Sequence, residues 1–527
     1  MYFNYLLAAS LLGLSLSSPA ADTSHDHSDA RRPPPHWSEG VFMEIFVRGY
    51  QDSTGDGIGD LRGLISRLDY LQQLGVTGLW LMPVTQSADH DHGYAVAGFR
   101  SVERDYGTLA DVDELLRQAH RRGMGVVFDY ILNHSAAEHP IFQAAAADPA
   151  SPTRDWYVWR DGNPPDLQDW DIWGYNPWYA LNGSHYFATF GAGVPDFNLR
   201  NPAVINYHRD NLRFWLDRGL DGFRLDAVPH LIENSAKDWN DQPESRRLTG
   251  EFTALIRGYP GRHVVCEATA SPQAYAKPDV CGSAFAFGLE RQIVQAARND
   301  AAAVAAVSHY FETAPASMAT MLANHDIFAG QRLWDQFKGD EAAYKLAAAT
   351  LLLLPGTPFL YYGEEIGMAG LSEFPDDRQI RAPMSWTAAG GFSASAAPFR
   401  PVSPNAATHN VELEAGDPDS LLNFYRSLVH LRTSQAALMR GAYRQAFAQG
   451  SVLGFQRELG HERLLVLINY APDPWQGAVP GLAAGQRLQA LWQTRAQAKP
   501  VSNAANEIAP AASVTLPPQS VAVYRLH

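Results

Sequence analysis

Short apolar runs alternate with segments of helical apolar spacing along most of the chain. The apolar runs predict eight strands, at residues 42–47, 77–84, 125–132, 222–228, 263–269, 283–289, 318–323 and 358–362. Apolar residues also recur at helical spacing, as over residues 61–74 and 111–122. Eight strands that alternate with helices predict an α/β fold with a closed (β/α)8 barrel.

Two parts of the chain depart from this alternation. Residues 135–203 form an interval too long for an ordinary loop between a strand and a helix, and it contains five tryptophans. After a helix predicted at residues 421–432, short runs at 452–456, 464–469, 487–492 and 521–526 predict antiparallel strands. We therefore expect barrel segments at 37–134 and 204–436, an insert at 135–203 and a C-terminal domain at 437–527.

The composition is that of a globular protein, and its charge narrows the choice of partners. Hydrophobic residues make up 46% of the 527, so the chain can bury a large core. A net charge of −15 argues against nucleic acid or an anionic membrane as a partner. We expect a monomer that binds neither nucleic acid nor membrane.

The first 21 residues contain an apolar run at residues 6–16, followed by the small residues Ser18 and Ala20. The run is too short to span a bilayer, and the small residues fit a signal-peptidase site. The sequence therefore predicts a signal peptide at 1–21 and a secreted protein, extracellular or periplasmic. Residues 22–36 are polar and rich in His and Pro, which predicts a disordered lead-in.

The chain has two cysteines, Cys266 and Cys281. In an exported protein they can pair across the short segment between them. A pair of buried free thiols is an equal alternative, because unpaired Cys is among the most buried residue types. The sequence leaves both states open.

The strand predicted near residue 224 carries the first candidate chemistry. Arg224 and Asp226 are two residues apart and share one face, whereas Phe223 and Leu225 point the other way. Burying such charges is costly unless they meet, so we expect Arg224 to lower the pKa of Asp226 and hold it ionised. An ionised carboxylate in a fixed position is suited to a nucleophile. A structural ion pair is the alternative for this stretch alone.

Four other stretches of the sequence match a known pattern together with that strand. They are Gly-Val-Val-Phe-Asp-Tyr-Ile-Leu-Asn-His at 125–134, Val-Pro-Asp-Phe-Asn at 194–198, His-Val-Val-Cys-Glu at 263–267 and Met-Leu-Ala-Asn-His-Asp at 321–326. In order and spacing, together with residues 219–230, they resemble the signature regions of the α-amylase superfamily, the retaining glycoside hydrolases of family 13. The resemblance implies that the insert is the family's small inserted domain and the C-terminal strands its antiparallel β-sandwich.

The resemblance also implies catalytic roles for three acids at the ends of strands four, five and seven. Asp226 matches the nucleophile, Glu267 the acid/base, and Asp326 the residue that holds substrate hydroxyls. Active sites of such barrels lie at the carboxyl ends of the strands, and retaining glycosidases need two carboxyl groups about 5–5.5 Å apart. Three unrelated strand-end acids are the alternative, and each acid's place in its own motif argues against it.

Further residues match the family's substrate-binding positions. His134 and His325 match the histidines that bind the sugar next to the cleaved bond, and Tyr94 matches the tyrosine that stacks on it. Arg224 is expected to orient the carboxylates beside that sugar. For Tyr94, a buried packing residue is the alternative, and Ala95 stands where the family pattern often has Asp.

A calcium site is expected in the loop Asp-Ser-Thr-Gly-Asp-Gly-Ile-Gly-Asp at 52–60. Acids at every fourth position with glycines between them suit oxygen coordination of a hard cation. The resemblance implies Asp52, Thr54, Asp56, the Ile58 carbonyl and Asp60 as ligands, with a plain Asp/Gly turn as the alternative.

A second family Ca²⁺ site is matched by Asn133 and His230, although Pro229 replaces the lysine that is usual beside them.

The end of the sugar pocket decides between two modes of action. Arg381 opens Arg-Ala-Pro-Met-Ser-Trp, which resembles a motif of α-glucosidase-like members in which the arginine pairs with an acid at the position of Asp91. Such a pair would recognise a terminal glucose and obstruct a longer chain. Arg381 can instead pair locally with Asp376 or Asp377 and leave the cleft open.

The sequence favours the open cleft, because residues 194–198 resemble the amylase-like version of their region. Ala227, directly after the nucleophile, fits members that act on α-1,4 bonds. We therefore expect a hydrolase of α-1,4-glucosidic bonds in starch-type glucans and maltooligosaccharides. An exo-acting α-glucosidase or glucosyltransferase of the same superfamily is the alternative, and a catalytically dead member fits poorly because all three acids are present.

Overall fold

The computed structural model describes residues 32–482, 486–494, 508–510 and 513–527. The predicted signal peptide at 1–21 lies outside the described residues, as does the predicted lead-in up to residue 31. No helix within the described ranges has the length and apolar character needed to traverse a lipid bilayer.

The described strands, in chain order, are β1 (Phe42–Ile45), β2 (Gly78–Leu81), β3 (Thr85–Ser87), β4 (Val96–Val102), β5 (Gly125–Ile131), β6 (Trp159–Asp161), β7 (Trp178–Leu181), β8 (Ser184–Phe187), β9 (Gly222–Asp226), β10 (His263–Cys266), β11 (Ala319–Thr320), β12 (Thr357–Tyr361), β13 (Ala442–Gln449), β14 (Val452–Leu459), β15 (Glu462–Asn469), β16 (Trp475–Gly477), β17 (Arg487–Gln493), β18 (Ile508–Pro510), β19 (Val514–Leu516) and β20 (Ser520–Leu526).

The described α-helices are α1 (Val47–Tyr50), α2 (Leu61–Ser66), α3 (Leu68–Leu74), α4 (Leu109–Arg121), α5 (Pro140–Ala147), α6 (Pro202–Asp217), α7 (Pro243–Arg257), α8 (Pro272–Tyr275), α9 (Leu289–Ala297), α10 (Ala301–Thr313), α11 (Leu333–Phe337), α12 (Glu341–Leu353), α13 (Val411–Ala415), α14 (Leu421–Ser434) and α15 (Ala436–Arg440).

Seven parallel strands form the barrel wall, in the order β10-β9-β5-β2-β1-β12-β11. The eighth position lies between β10 and β11, where two isolated parallel bridges, Cys266 with Ala284 and Phe285 with Ala319, join the wall. The predicted (β/α)8 fold is confirmed, but the prediction of a regular strand over 283–289 is wrong. Only residues 284 and 285 pair, and Leu289 already begins α9.

The close approach of β9 to β10 depends on one glycine. Gly222 has a φ of 152°, and a Cβ built on it would lie 1.8 Å from the carbonyl oxygen of His263. A side chain there would push the two strands apart. The same two strands carry two of the predicted catalytic acids at their other end, Asp226 on β9 and Glu267 directly after β10.

The helices follow the apolar spacing, with local signals at their ends. Thr108 caps α4 through a capping box with Asp111, which satisfies backbone N–H groups that have no partner inside the helix. The single helix predicted over 61–74 is instead two helices that meet at Arg67, whose φ of −105° departs from helical geometry.

The inward faces of the barrel strands are layered. The lower layer is apolar and packs as one cluster of Phe42, Trp80, Val127, Val265, Phe285 and Phe359. Side chains two residues apart share a face of a strand, so the next inward positions are Glu44 on β1, Asp129 on β5 and Arg224 on β9. The barrel is therefore closed by packing below and carries charge at its carboxyl end.

Two smaller antiparallel parts flank the barrel. Within 135–203, a three-stranded sheet in the order β6-β8-β7 contains buried Trp178 and Phe187. At the C-terminus, a six-stranded sheet in the order β13-β14-β15-β20-β17-β18 is accompanied by the pair β16-β19. The predicted antiparallel C-terminal domain is thus confirmed, and its first strand, β13, was not predicted.

Candidate active site

One buried guanidinium, that of Arg224, lies at the centre of the charged layer. Its Nη1 donates to Asp129 Oδ1 at 2.7 Å and to Asp226 Oδ1, and its Nη2 donates to Glu267 Oε2 at 2.9 Å. The side chain is only 1% exposed and packs over the Trp80 ring at 5.2 Å. A single cation thus holds three carboxylates, which come from β5, β9 and the residue after β10.

The expectation that Asp226 has a lowered pKa is wrong for the substrate-free site. Burial raises the pKa of Asp226 well above its usual value, and Glu267 and Asp129 raise it further, whereas Arg224 opposes them. The physical reason is that one guanidinium is shared among several acids, so its charge does not compensate each of them. The arginine still fixes where the Asp226 carboxylate lies.

Glu267 lies directly after β10 and faces Asp226 across Arg224. Its Oε2 also accepts the backbone N–H of Ala227 at 3.0 Å. Its own backbone N–H donates to the Leu225 carbonyl at 3.0 Å, so the end of β10 is tied to the end of β9. The two acids that a retaining mechanism requires are therefore held on neighbouring strand ends.

The third acid, Asp326, is held by two cationic groups. Arg381 Nη2 donates to Asp326 Oδ1 at 3.2 Å, and His325 Nε2 lies 3.1 Å from Oδ2. Burial opposes the charge on both partners, yet Asp326 and Glu44 raise the pKa of His325 to about 10. The charges of His325, Arg381 and Arg224 together lower the pKa of Asp326 despite its burial, so it is ionised at neutral pH.

Tyr94 and His134 also lie where the sequence placed them. The Tyr94 ring stacks on His325 with centroids 5.3 Å apart, and its hydroxyl lies 2.6 Å from His325 Nε2 and donates to Asp129 Oδ2 at 2.8 Å. Burial lowers the pKa of His134 to about 3, so its ring is neutral at physiological pH. A neutral imidazole offers one donor and one acceptor to a sugar hydroxyl.

A cavity of about 880 Å³ brings most of the predicted site residues together. Its lining includes Tyr94, His134, Asp226, Glu267, Asp326 and Arg381. Arg224, His325 and Asp91 are not among the residues that line it. Arg224 and His325 lie behind the cavity lining. Arg224 contacts Asp226 and Glu267, and His325 contacts Asp326.

The contact between Arg381 and Asp91, which the α-glucosidase-like alternative required, is not formed. Arg381 pairs with Asp377 at 3.2 Å as well as with Asp326, as the local alternative anticipated. Asp91 instead pairs with Arg400, whose Nη2 donates to Asp91 Oδ1 at 2.6 Å. Arg400 Nη1 also donates to the backbone carbonyl of Arg381 at 3.2 Å, so the two ion pairs stand side by side.

Several site residues were missed from the sequence. Glu44 and Asp129 are acids inside buried apolar strands, which is the same signal that singled out Asp226. Arg400 lies in a segment without periodicity, 309 residues from its partner Asp91, and no local signal identifies it.

Aromatic side chains at the mouth of the cavity were also missed. Trp173, Phe190 and Phe328 line it, and their exposed fractions are 59%, 39% and 46%. Exposed large apolar side chains that gather at one place mark a binding surface. The first two come from the insert and the third follows Asp326, so the mouth has aromatic groups from two parts of the fold.

The predicted calcium loop has the right donors, but its acids are engaged within the loop. The carboxylates of Asp52 and Asp60 accept backbone N–H groups at 2.7 and 2.8 Å, and Asp56 Oδ1 accepts the N–H of Ile58 at 2.9 Å. Thr54 donates its hydroxyl to Asp52 Oδ1 at 3.2 Å. The oxygen-only donor set fits a hard cation, and calcium here remains a prediction.

A different group has converging metal-ligating atoms. Over the described ranges, the group of three His, Cys, Asp or Glu side chains whose ligand atoms all lie within 4.8 Å of one another is His90, Glu103 and Asp105. Arg48 donates to Asp105 at 2.8 Å, so a cationic group already neutralises part of its charge. The three loop aspartates do not form such a group.

At the second matched cation site, Asn133 adjoins two acids that the sequence did not single out, Asp196 and Glu233. The buried carboxyl of Asp196 lies close enough to the half-buried carboxyl of Glu233 to disfavour its charge. Burial raises the pKa of Asp196 to about 7 and that of Glu233 well above its usual value. The Asn133 side chain hydrogen-bonds to Asp196, so its amide lies beside the same acids. These groups fit a hard cation.

Comparison with known proteins gives a consistent picture. The model of the alpha-amylase catalytic domain matches residues 44–441. The trehalose synthase/amylase of Mycolicibacterium smegmatis is 34% identical over 483 residues, with 80% of each chain covered. The oligo-1,6-glucosidase of Parageobacillus thermoglucosidasius is 28% identical over 517 residues, covering 82% of this chain and 90% of that one.

Solved structures agree. The trehalulose synthase of Pseudomonas mesoacidophila superposes with a TM-score of 0.80 at 26% identity, covering 94% of this chain and all of that chain.

The raised pKa of Asp226 predicts the acidic limb of the pH profile. The nucleophile must be ionised, so kcat/KM on an α-glucoside should fall on acidification with a midpoint above about 4, the ordinary value for Asp. The measurement is kcat/KM between pH 3 and 8, with stability checked at each pH by circular dichroism. A midpoint below pH 4 in a folded protein contradicts the predicted direction.

Proposed function

The chain belongs to the α-amylase family of retaining glycoside hydrolases and glucosyltransferases, and from this premise we propose that it acts on the terminal glucose of short α-glucosides, as an exo-acting α-glucosidase or glucosyltransferase. The observation that carries the proposal is the Asp91–Arg400 ion pair beside the sugar pocket, whose arginine also donates to the backbone carbonyl of Arg381. The named relatives support this alternative over the starch-cleaving function that the sequence favoured.

The Asp91–Arg400 pair supports exo action because its arginine is buried and also holds the backbone of Arg381. The Arg400 side chain is 5% exposed and the Arg381 side chain 4% exposed, and each is paired with an acid at the edge of the pocket. Removing buried charged partners from each other is costly, so the wall that they form resists opening. A glucan chain that continues past the terminal glucose would have to displace them.

The proposed chemistry uses the acids in the order that their positions allow. The Asp226 carboxylate forms a bond to the anomeric carbon as the glycosidic C–O bond breaks, and Glu267 gives its proton to the departing oxygen. Glu267 then takes a proton from the incoming water or sugar hydroxyl, whose oxygen replaces Asp226 on the anomeric carbon. Asp326, held ionised, favours the positive charge that develops on the sugar.

The aromatic mouth supports glucosyl transfer as well as hydrolysis. Trp173 and Phe190 face the cavity from the insert, with ring centroids 5.7 Å apart, and Phe328 lies on the opposite element. The apolar faces of a second sugar can stack on such rings. A stacked sugar would serve as leaving group in one direction and as acceptor in the other, and it would exclude water from the covalent intermediate.

Two isosteric substitutions test the assigned roles. Asp226→Asn should reduce kcat on maltose by about 10⁴-fold or more with an unchanged melting temperature, because the nucleophile is lost. Glu267→Gln should lose maltose cleavage but still react with an aryl α-glucoside, whose leaving group needs no proton. Near-normal turnover by Asp226→Asn, with wild-type contamination excluded, would rule out the nucleophile assignment.

Exo action is tested with a maltooligosaccharide whose non-reducing end is blocked. The wild type should cleave the unblocked chain from its end and leave the blocked chain intact, because the ion pairs exclude the extra group. Asp91→Ala should reduce activity on maltose and gain activity on the blocked chain. Product analysis by chromatography is the measurement.

A surface carboxylate supplies the control for this comparison. Asp69→Ala removes an acid that is 70% exposed and pairs only with Arg122 at 2.7 Å, and it should leave both rates unchanged. Rapid cleavage of the blocked chain by the wild type would instead favour the open cleft and the starch-type function.

We further propose that Ca²⁺ binds at the loop of Asp52, Asp56 and Asp60, and at the Asp196–Glu233 pair. A cation that binds only the native state stabilises it by mass action, so chelation should lower the melting temperature. Asp56→Ala and Glu233→Gln should each remove one bound ion and part of that sensitivity, whereas the Asp69→Ala control should retain both.

Metal content by mass spectrometry and melting by calorimetry are the measurements. An unchanged melting temperature after chelation, with the metal confirmed as removed, would contradict both sites.

A further inference from the structure

The two cysteines of the chain form a disulfide directly beside the acid/base. Cys266 is the last residue of β10 and precedes Glu267, and it is bonded to Cys281, 15 residues further along. Both side chains are fully buried. Because the chain has only these two cysteines, neither has another partner within it.

The disulfide lies on a side of β10 where the barrel wall has few backbone contacts. Between β10 and the segment that follows Cys281, Cys266 N donates to the Ser283 carbonyl at 3.0 Å and Phe285 N donates to the Cys266 carbonyl at 3.1 Å. The pairing on this side is an isolated bridge, whereas on its other side β10 pairs with β9 over four residues. The covalent bond therefore reinforces the less regular side of β10.

The contacts of Glu267 make its position depend on how β10 is held on the side that faces the sixth segment. Its carboxylate is held by Arg224 and by Ala227 N, and its backbone carbonyl accepts from Val228 N at 3.3 Å. All of these contacts reach toward β9 and the turn after it. On the other side of β10, the chain next to Glu267 is held by Cys266, through its disulfide with Cys281 and its backbone hydrogen bonds with Ser283 and Phe285.

Cys266 also pairs with Leu225, the residue before Asp226, but the strand of Asp226 is anchored on both sides. Asp226 ends β9, which is paired on both sides, with β5 and with β10. Its carboxylate is positioned by Arg224 on the same strand. A change at Cys266 should therefore move Glu267 relative to Asp226 more than it moves Asp226 relative to the rest of the wall.

From these contacts we propose that the Cys266–Cys281 disulfide is a positioning device for Glu267, which sets how efficiently the leaving group is protonated. The inference rests on the proposed glucosidase activity. In the first step, Asp226 forms its bond to the anomeric carbon, the glycosidic bond breaks, and the Glu267 proton goes to the departing oxygen. Loss of the disulfide should slow only that proton transfer, so substrates that need no proton should be affected least.

The test compares Cys281→Ser with the wild type on maltose and on 4-nitrophenyl α-glucoside. Small displacements of a catalytic acid are costly, so kcat/KM on maltose should fall roughly tenfold while the aryl glucoside changes little. The basic limb of kcat/KM against pH should also move, because it reports the protonation of the acid.

Val280→Ala is the matched control, because it removes buried apolar atoms from the same loop and leaves the disulfide intact. It should lower both rates by the same factor and leave the basic limb in place.

Equal losses on both substrates in Cys281→Ser, with no shift of the basic limb, would show a purely structural disulfide and overturn the proposal. If Cys281→Ser does not fold, the same ratio is measured on the wild type before and after reduction, with thiols counted by alkylation. Two alkylated cysteines in the untreated, unfolded protein would also overturn it. Absence of all α-glucoside activity in the disulfide-bonded wild type would instead overturn the proposed function, and this inference with it.

Discussion

The site depends on one buried cation, the guanidinium of Arg224. A buried guanidinium needs acceptors for its hydrogen bonds, and here the carboxylates of Asp129, Asp226 and Glu267 accept them from three neighbouring elements. The planar fork of the guanidinium requires those carboxylates to lie in fixed directions. The same contacts that compensate its burial therefore bring the nucleophile and the acid together.

The barrel makes this arrangement possible by separating packing from chemistry along each strand. On β1 and β5 an inward position is apolar, Phe42 or Val127, and the next is an acid, Glu44 or Asp129. Arg224 on β9 lies in the same charged layer. The lower layer packs the barrel interior with apolar side chains. The layer above it is therefore free to hold several charged side chains close together. The alternation of a strand then converts two adjacent inward positions into one packing residue and one functional residue.

This alternation also explains how much the sequence alone could predict. The barrel strands, the three strand-end acids and Arg224 were predictable because charges inside apolar runs are conspicuous, and Glu44 and Asp129 carry the same signal; the catalytic roles of the three acids stay a prediction. The partner of Asp91 was not, because Arg400 is distant in sequence and lies in a loop without periodicity. The length of the sixth strand, predicted at residues 283–289, was overestimated. Apolar composition does not show that only residues 284 and 285 form strand pairs.

The charge balance of the site links its ionisation to its proposed chemistry. The carboxyl groups of Glu267, Asp129 and Asp326 around Asp226 outnumber the one cation that lowers its pKa, Arg224, and this surplus adds to burial in raising that pKa. The surplus disfavours an ionised Asp226. When a glucosyl ring develops positive charge at its anomeric carbon, the same surplus becomes stabilising. Arg224 and Arg381 hold the acids in place without neutralising all of them. The negative charge that remains raises the pKa of Asp226, and the same charge favours the positively charged transition state.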